Sequence, residues 1–203
     1  MPAGGFTYWP GNDYDAWGTN YAGHFLIEAK AAGYAVPETM IERFVKFQQG
    51  AAKRWNPDTR GAQYSWTELD QAYRLYTLAL ARKPETGSMN RMRELKNLSP
   101  EARWRLAAAY ALDGKKEIGQ QLAKNLPVNV KPYEYWGNTY GSSLRDEAMI
   151  LETQVLLGDM TAAAANLQHV AESLSADSWY STQTTAYALL AIGFTLIFGV
   201  MRR

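Results

Sequence analysis

Four times in this chain a Gly- or Ser-bearing aromatic stretch leads into a helix-forming run rich in Ala, Leu and Tyr. The four are Trp17-Gly18-Thr19-Asn20-Tyr21-Ala22, Tyr64-Ser65-Trp66-Thr67-Glu68-Leu69, Tyr140-Gly141-Ser142-Ser143-Leu144-Arg145 and Trp179-Tyr180-Ser181-Thr182-Gln183-Thr184. Small polar side chains at such points can accept from the unpaired N–H groups of the helix that follows. The ring beside them covers the end of a helical hairpin and stacks on its neighbour. One hairpin cannot bury its own apolar face, so repeated hairpins must stack on one another. The leading aromatics, residues 17, 66, 140 and 179, are unevenly spaced. Irregular helical repeats fit an open α-solenoid or a closed α/α toroid with alternating inner and outer helices. Gly-aromatic loops at inner-helix starts favour the toroid, whereas the segment from Pro100 to Leu126 looks more like a tetratricopeptide unit.

The periodicity predicts the helices in detail. Tyr21, Phe25, Ile27, Ala29 and Ala32 recur at helical spacing and Gly33 stops that helix. Pro37 opens a second, to about Gln49, with Met40, Ile41, Phe44, Val45 and Phe47 inward. A capping box of Ser65 and Glu68 is expected to start a helix from Thr67 to about Arg82. A shorter helix follows over 86–96. Ser99-Pro100-Glu101 is a strong start for a helix to Leu112, with Ser99 as cap and Pro100 in the first turn. Asp113-Gly114 breaks it from one over Lys115 to Lys124. Helices over Ser143–Leu157 and Thr161–Ser173 flank Gly158-Asp159, and the last begins near Thr182. No stretch alternates at period two, so no sheet is expected.

At 203 residues, 47% hydrophobic and 20% charged, the chain can bury a sizeable core as one domain spanning 1–203. A net charge of +1 gives no field towards nucleic acid, which is excluded as a partner. There is no cysteine, hence no disulfide, thiol nucleophile or Cys-ligated zinc within these residues. The start, Met1-Pro2-Ala3-Gly4-Gly5, lacks the regions of a signal peptide, so the chain is expected to be cytoplasmic or a fragment. The apolar run Ala186 to Met201, closed by Arg202-Arg203, holds about 16 residues against the ~20 that a membrane span needs, and reads as a buried helix.

Two stretches carry a family likeness: Gly5-Phe6-Thr7-Tyr8-Trp9-Pro10-Gly11 leading to Ala29-Lys30, and Trp179-Tyr180-Ser181-Thr182-Gln183-Thr184-Thr185-Ala186-Tyr187-Ala188-Leu189-Leu190-Ala191. The second is the more specific. Together they resemble the thioester-containing domain of bacterial alpha-2-macroglobulins over nearly the whole chain. The resemblance implies an all-α fold, an α/α toroid of helical hairpins shared with terpenoid cyclases and complement thioester domains, incomplete at this length. It implies a non-catalytic structural and interaction domain of a protease trap. Its partners would be proteases, met through the parent protein, and other domains of the same parent chain. It also implies a periplasmic or cell-envelope location, with a membrane involved only by anchoring of the parent. The family's thioester needs a Cys-x-Glu-Gln motif, absent here; either it lies upstream of residue 1 or the parent is of the thioester-less branch. Thr184 departs from the acidic residue common after the Gln, and the tail from Phe194 onward departs from the family's continuation.

Candidate sites are few. Trp9, Trp17, Trp66, Trp136 and Trp179 could line a pocket around a central depression, or serve as hairpin covers, which their placement favours. Asp13, Asp15, Glu68 and Asp70 could act as acid and base or ligands in a toroid enzyme acting on carbohydrate or isoprenoid, but carboxylates near helix starts are favoured by the dipole. His24 and His169 stand apart, with no second histidine or carboxylate read at metal-ligand spacing, so packing or surface roles are expected. No nucleophile-elbow, P-loop, dinucleotide or zinc-protease motif occurs. The expectation is therefore no catalytic residue, no metal and no cofactor.

Overall fold

The structure is a computed structural model, and it describes residues 4–11, 13–57, 64–132 and 141–200, with the side chains of 64–67 and 199–200 excepted. Every regular element among the described residues is an α-helix: α1 (Ala16–Ala31), α2 (Glu38–Arg54), α3 (Tyr64–Leu80), α4 (Thr86–Arg93), α5 (Pro100–Leu112), α6 (Lys116–Ala123), α7 (Ser143–Leu157), α8 (Met160–Ser175) and α9 (Thr182–Val200). The all-α expectation holds.

The starts and stops have local causes. Asp15 accepts from the Gly18 N–H, Ser99 from Ala102, Ser142 from Arg145, Asp159 from Ala162 and Ser181 from Thr184, so α1, α5, α7, α8 and α9 open on a side-chain cap. Ser99-Pro100 behaves as read from the sequence, with Pro100 in the first turn. Gly158 ends α7 at φ 74°, a left-handed conformation that a side chain would strain. The helix start expected at a capping box of Ser65 and Glu68 lies earlier. Helix α3 already begins at Tyr64, so both residues lie inside it, and Glu68 instead accepts from the Ser99 N–H across the hairpin at 3.0 Å.

The helices form two layers. Consecutive odd-numbered helices pack side by side, α1 on α3, α3 on α5, α5 on α7 and α7 on α9. The even-numbered ones lie outside: α2 against α1 and α3, α4 against α3 and α5, α6 against α5 and α7, α8 against α7 and α9. This alternation explains why α5 and α7 are buried on nearly every face. Thirteen of the fifteen α7 residues, all but Ser143 and Leu156, are buried, among them Arg145, Asp146, Glu147, Glu152 and Gln154. The inner series curves until its first and last members meet. Trp17 Nε1 donates to Gln183 Oε1 at 3.2 Å, and the His24 and Tyr187 rings lie 5.7 Å apart. An open solenoid, which keeps its ends apart, is thereby removed.

Inside the curve sits a polar centre. Arg105, on α5, donates to Glu152 Oε2 at 2.8 Å and lies over the Tyr76 ring at 3.8 Å, with Tyr73 and Tyr187 close by. Tyr187 donates to Glu152 at 3.1 Å, and Tyr76 also donates to that carboxylate. Burial works against the Arg105 charge, but Glu152, Tyr76 and Tyr73 more than offset it and hold its pKa above the ordinary value. Burial first, and the neighbouring Glu152 charge next, raise Tyr76; burial dominates at Tyr73.

Candidate functional site

Where α1 and α9 begin, a cavity of about 990 Å³ opens to solvent, lined by Tyr8, Trp9, Asp13, Tyr14, Asp15, Tyr21, Ser181, Thr182, Gln183 and Ala186. Its near wall is the loop from Phe6 to Asp15, held shut at its base. The Asp15 N–H donates to the Phe6 carbonyl at 3.0 Å, and the Phe6 N–H to Thr19 Oγ1 at 2.9 Å. Tyr14 is braced edge-on against Phe47 of α2, with ring centroids 4.9 Å apart. Gly5 permits that contact, because a Cβ there would press into Tyr14 and the Phe47 ring. The loop therefore presents Tyr8, Trp9 and Tyr14 on a tied base, yet leaves them 52%, 71% and 48% exposed.

The far wall is the first turn of α9. Ser181 caps it by accepting from the Thr184 N–H at 3.2 Å. Gln183 is fixed by its carbonyl oxygen, which accepts from Trp17 Nε1 and from Arg145 at 3.0 Å. Arg145 in turn stacks over Trp17 at 4.1 Å and pairs with Asp146 at 2.7 Å. Its charge is thus paired behind the wall, and its side chain does not line the cavity.

The candidate aromatics separate. Trp9 lies on the cavity rim and Trp179 is exposed just before α9. Trp17 corrects the expectation of a loop or rim position: it lies within α1, is 1% exposed, and packs in the core against Tyr73. The reason is that α1 starts at Ala16, a turn earlier than its apolar spacing suggests, because Asp15 caps it. The side chains of Trp66 and Trp136 lie outside the described residues. Of the carboxylates, Asp13 and Asp15 share the cavity, whereas Glu68 is buried beneath Ser99 and does not join them. Asp70 is a half-buried acid whose Oδ1 is itself sealed from solvent and has no partner. Burial, opposed by Arg74 and reinforced by Asp15, pushes its pKa up to about 7.

Both histidines have carboxylate neighbours that sequence reading missed. His24 is buried, with Nδ1 bonded to Tyr73 Oη at 3.0 Å and Nε2 3.7 Å from Glu28, one helical turn on. His169 Nε2 lies 3.0 Å from Glu147. The i, i+4 spacing of His24 and Glu28 could have signalled the first pair; nothing local could have signalled the second. Among the described residues no group of three metal-ligating side chains occurs.

Alongside the cavity, the seam between α1 and α9 is apolar and uncovered. Phe25 on α1 is 68% exposed, and Leu189, Leu190, Leu196 and Ile197 form a stripe at helical spacing along α9. Among the described residues no helix is long and apolar enough to cross a membrane, so the stripe is a face and not a span.

These features define a two-layered domain of helical hairpins whose inner helices meet at an aromatic seam. The chain is homologous to alpha-2-macroglobulin of Escherichia coli (strain K12), with 29% identity over 201 residues that cover 93% of this chain and 12% of that protein. Its structure matches the C-terminal region of the E. coli protein: the crystal structure of the native form spanning domain MG7 to the C-terminus superposes with a TM-score of 0.77 at 25% identity, covering 96% of this chain and 32% of that one. Salmonella alpha-2-macroglobulin reacted with methylamine gives a TM-score of 0.75 at 28% identity, over 95% of this chain and 13% of that one. No protein-family model matches the chain. The chain thus spans about an eighth of the curated relative's length.

Proposed function

We propose that residues 1–203 form a single helical domain belonging to the thioester-type α/α toroid of an alpha-2-macroglobulin-like endopeptidase inhibitor, and that the domain is structural and interacting, not catalytic. The observation that carries this is the homology running over 93% of the chain, supported by the alternation of inner and outer helices. The uncovered stripe on α9 supports it too: an apolar face of this length is characteristic of a surface that another element covers, here other domains of the same parent chain. Lacking cysteine, these residues cannot themselves form a thioester. Proteases are then partners of the parent protein, located in the periplasm or cell envelope, and no cofactor takes part.

The toroid-enzyme reading loses support because its three acids do not converge; Glu68 bonds to Ser99 while Asp15 caps α1. Two measurements test the proposal. The parent protein, mixed with trypsin, should keep the protease from cleaving casein while a small peptide substrate is still hydrolysed; unhindered casein cleavage overturns the reading. The genomic sequence within about a hundred codons upstream of residue 1, roughly the missing part of a domain, decides the mode. A Cys-x-Glu-Gln motif there predicts covalent capture, and its absence predicts non-covalent trapping.

A further inference from the structure

We infer that the cavity between the Phe6–Asp15 loop and the start of α9 is a docking site for a lysine- or arginine-bearing segment of a separate partner polypeptide. The charge of the lining argues for it. Among the described residues the lining has two carboxylates, Asp13 and Asp15, and no basic side chain. This imbalance is local, since the whole chain has a net charge of +1. Arg145, behind the α9 wall, is already paired with Asp146 and stacked on Trp17. Asp15 gives one oxygen to the α1 cap at Gly18, which leaves the exposed Asp13 as the acid free to meet a ligand.

The aromatic lining argues for the same chemistry. Tyr8, Trp9 and Tyr14 border the same opening, and a guanidinium or ammonium group is attracted both to a ring face and to a nearby carboxylate. The interior uses this pairing already: Arg105 lies over Tyr76 while bonded to Glu152, and Arg145 over Trp17 while bonded to Asp146. At the cavity the aromatic and acidic halves of that pairing stand side by side, with Asp13 exposed beside Trp9 and Tyr14. The loop is tied at its base by Phe6 and braced through Tyr14 on Phe47, so little ordering is needed on binding. At about 990 Å³ the space admits several residues of an extended chain, not one side chain alone. The inference does not depend on the parent being a protease trap.

The test is a titration of the 203-residue chain with a blocked decapeptide carrying four arginines on a Gly-Ser background, followed by the indole N–H signals in two-dimensional NMR. The expected result is a shift of the Trp9 signal, with affinity at least about tenfold weaker for the same peptide carrying citrulline, the neutral isostere, for arginine. Asp13→Asn and Trp9→Ala, both at exposed positions, should each weaken binding about five- to tenfold while the circular dichroism spectrum stays unchanged. Equal binding of the citrulline peptide overturns the charge argument. Failure of the arginine peptide to move Trp9, or a larger movement with cellohexaose, overturns the docking site as a cation-selective one. Self-association of the chain that protects Trp9 without any peptide would make the occupant a second copy and overturn it as well.

Discussion

The wall made by α3, α5 and α7 and the seam between α1 and α9 are built from similar helices, yet their chemistry is opposite. At the centre of the wall, opposite charges are buried together. Arg105 has Glu152 and the faces of three tyrosines, and Glu152 also accepts from Tyr76 and Tyr187. At the seam, apolar groups are exposed and unmatched: Phe25, Leu189, Leu196 and Ile197 all stand more than half exposed. A buried ion pair contributes little net stability over an apolar pair of equal size, but it penalises any packing that would separate its members. The wall therefore behaves as a specified interior and the seam as a surface awaiting cover. A helix alone does not tell the two apart; its neighbours on both sides do.

The largest break in this contrast should come from the wall. Arg105→Met leaves Glu152 buried without its cation and should cost about 3–5 kcal/mol in urea unfolding. The double variant Arg105→Met/Glu152→Gln should recover most of the loss; a single variant costing under about 1 kcal/mol would show that the centre is not sealed.

A matched pair of glycines sharpens the comparison. A Cβ at Gly23 would overlap the Phe44 ring, so Gly23→Ala should cost about 1–3 kcal/mol by overpacking. A Cβ at Gly193 on α9 meets nothing within 4 Å, so Gly193→Ala should gain up to about 1 kcal/mol from helix propensity. Thermal melts of both variants in parallel would read the difference.

Asp70 supplies an effect of a different kind, one that depends on pH. Its pKa is raised in the fold from 3.8 to about 7, so between those values the folded state holds more protons than the unfolded one. Stability contributed at this site is fully present below about pH 4 and is lost as pH rises through 7, by at most about 1.4 kcal/mol per pH unit. Asp70→Asn should flatten that slope in denaturation curves taken from pH 4 to 8; an unchanged slope would mean that the carboxyl is solvated.

The smallest effect on stability belongs to the seam. Phe25→Ser or Ile197→Ser should change it by about 0.5 kcal/mol or less, while sedimentation velocity should show less self-association than the parent chain. A loss as large as that of a core residue would mean that the seam is packed within a single molecule.

Much of the molecule was legible in the sequence. Helix α5 and helix α7 have the bounds that Ser99-Pro100, Ser143 and Gly158 announce, because caps and stops act within one turn of the chain. The absence of cysteine and the near-zero charge already removed thiol chemistry, disulfides and a nucleic-acid field. The place of Trp9 in a loop before α1 was also legible, but its exposure on the rim was not, because its pattern favoured a hairpin cover.

Other assignments needed contacts between residues far apart. Trp17 shares the Gly-aromatic pattern of the other candidates, but its burial is decided by Tyr73, Gln183 and Arg145, which lie 56, 166 and 128 positions away. Glu68 looked like half of a capping box, and it accepts from the N–H of Ser99, the cap of the next inner helix. The pairing of Arg105 with Glu152 has no local trace at all. Local hydrogen bonding and periodicity are written in neighbours three or four residues apart, so the sequence by itself determined the helices, their caps and the all-α class. Which faces were sealed and which left open depended on how the inner helices curve back on themselves, and only the tertiary structure could decide that.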